Sequence, residues 1–206
     1  IIRKFSACSY DESRFTSPVI FYDSTGKILY SQPQLVQKRP LVNPLPELQR
    51  GSAYVDSRGK VIPRPFDYSH SNNASLADVN SLLMGIIFPQ TCPGHCFGLT
   101  AADRGFLIRY LGMLPRESGI SPYLDRATYP DNYKKYLLFG DTPDDPLLQS
   151  GIVRSFNIVG KSDGYLSDVA YVADFTHGVE FFLSAVTYVN SDTVLRDGKY
   201  EYTEIG

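Results

Sequence analysis

No run of this 206-residue chain is long and apolar enough to cross a bilayer; the longest nearly uncharged stretches, such as Leu82 to Phe88, fall far short. Neither sign of charge is in surplus. With 20 Lys and Arg against 22 Asp and Glu the formal net charge is −2, which argues against a polyanion partner and a general nucleic-acid footprint. Tryptophan is absent, although Tyr occurs 15 times and Phe 12; a Tyr-rich chain with 14 Pro fits a protein that works outside the cytoplasm. The chain does not begin with Met and shows no signal-type segment. "IIRKFSACSY" reads as the middle of something and "EYTEIG" stops without a closing element, so both ends are expected to be cut from a longer protein.

Cysteine is scarce. Cys8, Cys92 and Cys96 cannot all pair internally, and "CPGHC" is neither the C-x-x-C redox motif nor the haem attachment motif. With His95 it offers three soft ligands, one short of a closed zinc site; a metal, a disulfide and, ahead of both, a plain turn remain open. No cofactor is implied.

What is present is the balance of a soluble globular protein: 43% apolar and 20% charged residues, in a chain long enough for one domain, or one and a fraction. Residues 17 to 68 read as β-rich. Val19 to Tyr22, the turn Asp23-Ser24-Thr25-Gly26 and Lys27 to Tyr30 form a hairpin pattern, repeated by Tyr54-Val55, Asp56-Ser57-Arg58-Gly59 and Lys60 to Ile62. The Pro-rich "QKRPLVNPLPELQRG" is a connector.

Helices follow. Ser75 and Asp78 have the form of a capping box, and Leu76, Val79, Leu82, Leu83, Ile86 and Ile87 mark one face before Pro89. Thr100 to Asp103 opens another helix, with Phe106, Leu107, Tyr110, Leu111 and Leu114 expected inward and Pro115 closing it. A third is expected over Asp131 to Phe139, stopped by Gly140. After "GDTPDDPLLQSG" the period falls to two: Ile152 to Val159, Tyr165 to Asp174 and Val179 to Asn190 predict three antiparallel strands, with turns at Gly160 to Gly164 and Phe175 to Gly178. The last strand is apolar on nearly every residue, which predicts cover on both faces. The expected class is α/β (α+β), an antiparallel sheet sandwiched by helices. Residues 1–150 would form a hairpin-containing and helical region, and 151–206 the sheet.

Three chemistries can be tested on spacing. A phosphate loop ending in Gly160-Lys161-Ser162 would need Gly at 155, which is Ser, and a helix after Ser162, where a strand is expected. Ser-x-x-Lys occurs at Ser24/Lys27 and Ser57/Lys60, but in Gly-bearing turns rather than on a helix, where the spacing would set amine beside hydroxyl. His70, His95 and His177 sit in polar loop stretches, where surface imidazoles are the default; Glu117 and the Asp144-Asp145 pair read as solvated loop charges.

The run "FNIVGKSDGYLSDVAYVADFTHGVEFFLSAVTYVN" resembles the strand bearing the Lys-Thr-Gly motif, and its two successors, in the penicillin-recognising serine hydrolases of the class A β-lactamase-like group. More narrowly it is similar to a secreted bacterial group of serine hydrolases. The likeness is best from Ser75 to Asn190. It implies that a helical Ser-x-x-Lys and a Ser-Asp-Asn-like loop, neither present here, lie upstream, and that this chain supplies the cleft wall for a small-molecule or peptidoglycan-like acyl substrate. In one register Ile158-Val159-Gly160 takes the Lys-Thr-Gly place. The Lys161 N–H then serves the oxyanion hole, and Gly160, Ser162, Ser167 and Asp168 border the substrate. In the other, Lys161-Ser162-Asp163 does. Ile158 departs from the family Lys. Arg14-Phe15-Thr16 resembles the Ω-loop Arg-Trp-Glu with Thr in place of the Glu, and Glu12 is offset, so another acyl substrate or slow deacylation is implied.

Overall fold

The structure, a computed structural model, describes residues 15–36, 38, 46–69, 71, 74–91, 97–139, 142–143 and 145–205. Cys8, Glu12, Arg14, His70, Cys92, His95, Cys96, Gly140 and Asp144 lie outside them. The chain divides into two compact units: residues 1–73 with 192–198, and residues 74–191 with 199–206. The helical residues expected to group with the first hairpins thus belong with the sheet.

The first unit is built from short pairings. Strands β1 (Val19–Tyr22) and β2 (Ile28–Gln32) form one antiparallel hairpin; β3 (Gln49–Arg50) pairs with β6 (Phe66–Asp67), and β4 (Ala53–Val55) with β5 (Val61–Ile62). Strand β10 (Val194–Leu195) joins β4 in parallel. The two Asp-Ser-x-Gly-Lys turns are the same structure twice. Asp23 Oδ1 accepts from Thr25 N and Lys27 N at 2.8 and 3.0 Å, and Asp56 Oδ1 from Arg58 N and Lys60 N, both at 2.9 Å. Gly26 and Gly59 supply the positive φ (85° and 79°) that closes each loop. Turn chemistry therefore accounts for both Ser-x-x-Lys spacings, and Ser24 and Ser57 sit on no helix.

The second unit is an antiparallel sheet in the order β7 (Val153–Ser162), β8 (Tyr165–Asp174), β9 (Val179–Tyr188). Its class is mixed α/β with antiparallel sheets. Alternation along β8 sends Leu166, Asp168, Ala170 and Val172 to one face, and Ser167, Val169, Tyr171 and Ala173 to the other. Helix α1 (Leu76–Ile87) covers the second face through Leu83, with Leu76, Val79 and Ile87 beside it. Phe88, just past that helix, meets the Tyr171 ring edge-on at 5.3 Å. On the first face Phe139 of α3 (Tyr136–Phe139) and Leu148 of α4 (Pro146–Ser150) pack with Val153, Ala170 and Val172. Helix α2 (Ala101–Gly112) lies along β7. Its Leu111 joins the first-named helix's core, whereas Leu114, just beyond it, joins the other. Both long helices carry capping boxes, the first of them expected: Ser75 Oγ accepts from Asp78 N at 3.0 Å, and Thr100 Oγ1 from Asp103 N at 3.2 Å.

Four expectations are revised. Phe106 and Tyr110 face outward, 61% and 53% exposed, and stack on each other at 4.5 Å instead of entering the core. The third helix is one turn long, because Lys134 adopts φ 62° and interrupts it. The β7–β8 turn is Asp163-Gly164 alone, both at positive φ (50° and 82°), so the ladder continues through Gly160, Lys161 and Ser162. The strand buried on both faces is the central β8; β9 is an edge strand whose Val179 and Phe181 remain 52% and 41% exposed.

Candidate functional site

Cross-strand register sorts the expected site residues. Gly160 lies opposite Ser167, and Ser162 opposite Tyr165, so these share the α1 face at the turn end of the sheet. The approach is close: a Cβ on Gly160 would stand 2.7 Å from Ser167 Oγ, so no side chain fits there while the hydroxyl keeps its place. A two-residue turn closes on a pair that exchanges both hydrogen bonds, and such pairs alternate along an antiparallel ladder. With Ser162 and Tyr165 as the closing pair, the N–H and C=O of Lys161 point away from β8, to an edge that no other strand takes among the described residues.

The turn is held from behind. Gly164 N donates to the Tyr202 hydroxyl at 2.9 Å, and Val189 N donates to Gly164 O at 2.7 Å. Burial pushes the Tyr202 phenol above its ordinary pKa. Lys161 Nζ lies 4.3 Å above the Tyr202 ring, on the face opposite Gly160, Ser162 and Ser167. The Lys161 ammonium and the two hydroxyls therefore do not converge.

Asp168 is not with the hydroxyls either. At 2% exposed it sits on the other face, Oδ1 accepting from Asn157 Nδ2 at 2.9 Å and Oδ2 from the Tyr136 and Leu137 amides at 3.0 and 3.3 Å. Its carboxylate thus caps the start of α3. Burial raises its pKa, against the pull of those donors and of Lys135. Asn157 connects it to Lys135, whose Nζ donates to Asn157 Oδ1, Ser155 O and Leu111 O at 2.6, 2.7 and 3.0 Å. Burial lowers Lys135 from 10.5 to about 8. Nothing in "DNYKKYLLFG" distinguishes this lysine from its neighbour, so spacing alone could not find the network.

Ile158, where the resemblance places a Lys, packs against the core formed by Leu83, Val169 and Tyr171. Thr16, where the resemblance places the Ω-loop Glu, accepts through Oγ1 from Leu35 N at 2.9 Å. His177 pairs through Nδ1 with Asp174 Oδ2 at 2.7 Å in the exposed β8–β9 turn, and no serine hydroxyl of the described residues is bonded to it. Glu117 is no solvated loop charge. Burial would raise its pKa, but hydrogen bonds from Arg154 and the Leu114 amide hold it below the usual glutamate range. A cavity that β7 lines lies toward its start, at Arg154 and Phe156, rather than at Gly160. Among the described residues no cluster of His, Cys, Asp or Glu could hold a metal, and no helix is long and apolar enough to cross a membrane. No protein-family model, curated protein or solved structure matches this chain.

Proposed function

We propose that this chain is the C-terminal part of an exported acyl-serine hydrolase of the β-lactamase-like type, contributing one wall of the acyl site. The observation that carries the proposal is the β7–β8 end itself: a glycine kept bare beneath the Ser167 hydroxyl, followed by a residue whose amide faces a strand edge that no other strand takes among the described residues. An N–H in that position is the type of preorganised donor that stabilises an acyl oxyanion. The Ser167 and Ser162 hydroxyls on the same face would orient a polar substrate such as a peptidoglycan-like acyl donor. Nucleophile and base would come from the preceding part of the same protein.

A second reading has its own observation. Ile158 is committed to the core where a substrate-binding ammonium would be required, which favours a binding module that keeps the architecture without the chemistry. The two separate in one experiment. The intact protein is treated with a fluorescent penicillin and with a fluorophosphonate, and adducts are located by mass spectrometry. The hydrolase predicts one labelled serine upstream of Ile1. No adduct together with no esterase turnover leaves the binding module.

A further inference from the structure

We infer that the cavity at the start of β7 binds a small organic monoanion, a carboxylate carried on an aromatic or branched apolar body. The cavity measures about 420 Å³, within the range of small-molecule sites. Its walls belong to α2, the segment after it, β7 and the β8–β9 turn, all within one compact unit.

The lining is apolar where it is broad and cationic where it is charged. Ile108, Met113, Phe156 and Phe175 supply hydrocarbon and aromatic surface. Glu117 is also there, but both its oxygens are taken: Oε1 by Arg154 Nη2 at 2.6 Å, Oε2 by Arg154 Nη1 and by Leu114 N, each at 2.9 Å. That leaves Arg109. This exposed side chain has no hydrogen-bond or ion-pair partner among the described residues, so it gives the rim of the cavity one positive charge that no carboxylate there offsets. A planar guanidinium grips a carboxylate through two parallel N–H bonds. One such grip suits a monoanion, and the surrounding apolar surface suits its body rather than a sugar or a free phosphate.

The walls are set before any ligand arrives. A Cβ on Gly112 would fall 2.6 Å from the Phe156 ring, so the end of α2 rests directly on the aromatic floor. Phe175 N donates to Ile152 O at 2.9 Å, which fixes the turn carrying the Phe175 ring. That ring is 65% exposed, a large aromatic surface at the rim that an apolar ligand body would cover. The site is separate from the Gly160 end: Phe156 and Gly160 are four residues apart on one strand face, roughly 13 Å. Its occupancy is therefore independent of the acyl-enzyme proposal and of any nucleophile.

The test is isothermal titration of the 206-residue chain with 2-naphthoate and with neutral 2-naphthamide at low salt. Saturable one-site binding is expected for naphthoate, about tenfold or more tighter than for the amide, since a charge-assisted bidentate pair is the difference between them. Arg109→Gln should remove that tenfold advantage, whereas Arg104→Gln, on the same helix but not in the lining, should keep it. Phe175→Ala should weaken both probes alike. Three results would each overturn the proposal: no saturable naphthoate binding, equal binding of acid and amide, or equal loss in the Arg104 and Arg109 variants.

Discussion

Lys135 reaches Asn157 inside the protein, Nζ 2.6 Å from Oδ1, and the other end of the same amide donates to Lys134 O at 2.7 Å and to Asp168 at 2.9 Å. A buried ammonium and a buried carboxylate are thus linked through one asparagine whose two ends match their opposite needs. The ammonium also satisfies Leu111 O near the end of α2, where helix carbonyls lack intrahelical donors and a cation is favoured. The network therefore ties α2, the turn before α3, and the first face of the sheet together.

Replacing Lys135 by Met keeps the length of the side chain and leaves three acceptors without their donor. A loss of roughly 3 kcal/mol of stability is expected, the scale seen when one partner of a buried charged network is removed. Guanidinium unfolding of wild type and Lys135→Met measures it; coincident midpoints would show the network to be dispensable.

The same lysine sets a pH dependence. Folded Lys135 releases its proton near pH 8 because burial disfavours the charge, with Arg154 adding to the effect and Asp168 and Glu117 opposing it; unfolded, it does so at about 10.5. Between those values the unfolded chain binds more protons, so this group makes stability rise with pH across the window. Asp168, raised by burial, acts at the acid end: its contribution is lost as pH climbs through its folded pKa. Unfolding midpoints of wild type and Lys135→Met should diverge between pH 7 and 10 in that sense, and parallel profiles would contradict it.

Gly160 and Ser167 form a pair testable by a double-mutant cycle. Gly160→Ala places a methyl 2.7 Å from Ser167 Oγ, closer than the two can approach, and should cost about 1–3 kcal/mol as an overpacked contact. Ser167→Ala removes that oxygen, so the double variant should recover most of the loss, a coupling of about 1 kcal/mol or more. Simple additivity, read from urea midpoints, would mean that the two positions do not meet.

Gly112 and Phe156 offer the parallel case at the other end of β7. The Gly112→Ala methyl would lie 2.6 Å from the Phe156 ring, with a ring edge rather than a flexible chain in the way. Destabilisation of about 1–3 kcal/mol is expected, partly relieved by Phe156→Leu. A Gly112→Ala protein as stable as wild type would show that α2 does not press on that ring.

Local chemistry was legible along the chain. Ser75 and Thr100 announce their helices because a cap needs only a hydroxyl and an acid three residues on. The Asp-Gly pair at 163–164 reads as a turn, but the sequence extends that turn back to Gly160, since glycine is as much at home in a turn as in a crowded strand. Only pairing with Ser167 shows that Gly160 is a strand residue kept small for a hydroxyl. Spacing puts Phe106 and Tyr110 on the inward stripe while the structure turns them to solvent, because spacing identifies an apolar stripe but not the surface it meets.

Adjacent lysines mark where sequence ends and tertiary structure begins. Residue order alone determined the capped helices, the paired Asp-Ser-x-Gly-Lys turns and the three long strands, since each depends on neighbours within a few positions. It could not separate Lys134 from Lys135. The first adopts φ 62° and lays its ammonium over the Tyr133 and Tyr136 rings, while the second is buried among acceptors drawn from α2 and β7. Those acceptors are 20 to 24 residues away in the chain, and they converge on one amine only after the sheet and helices have packed.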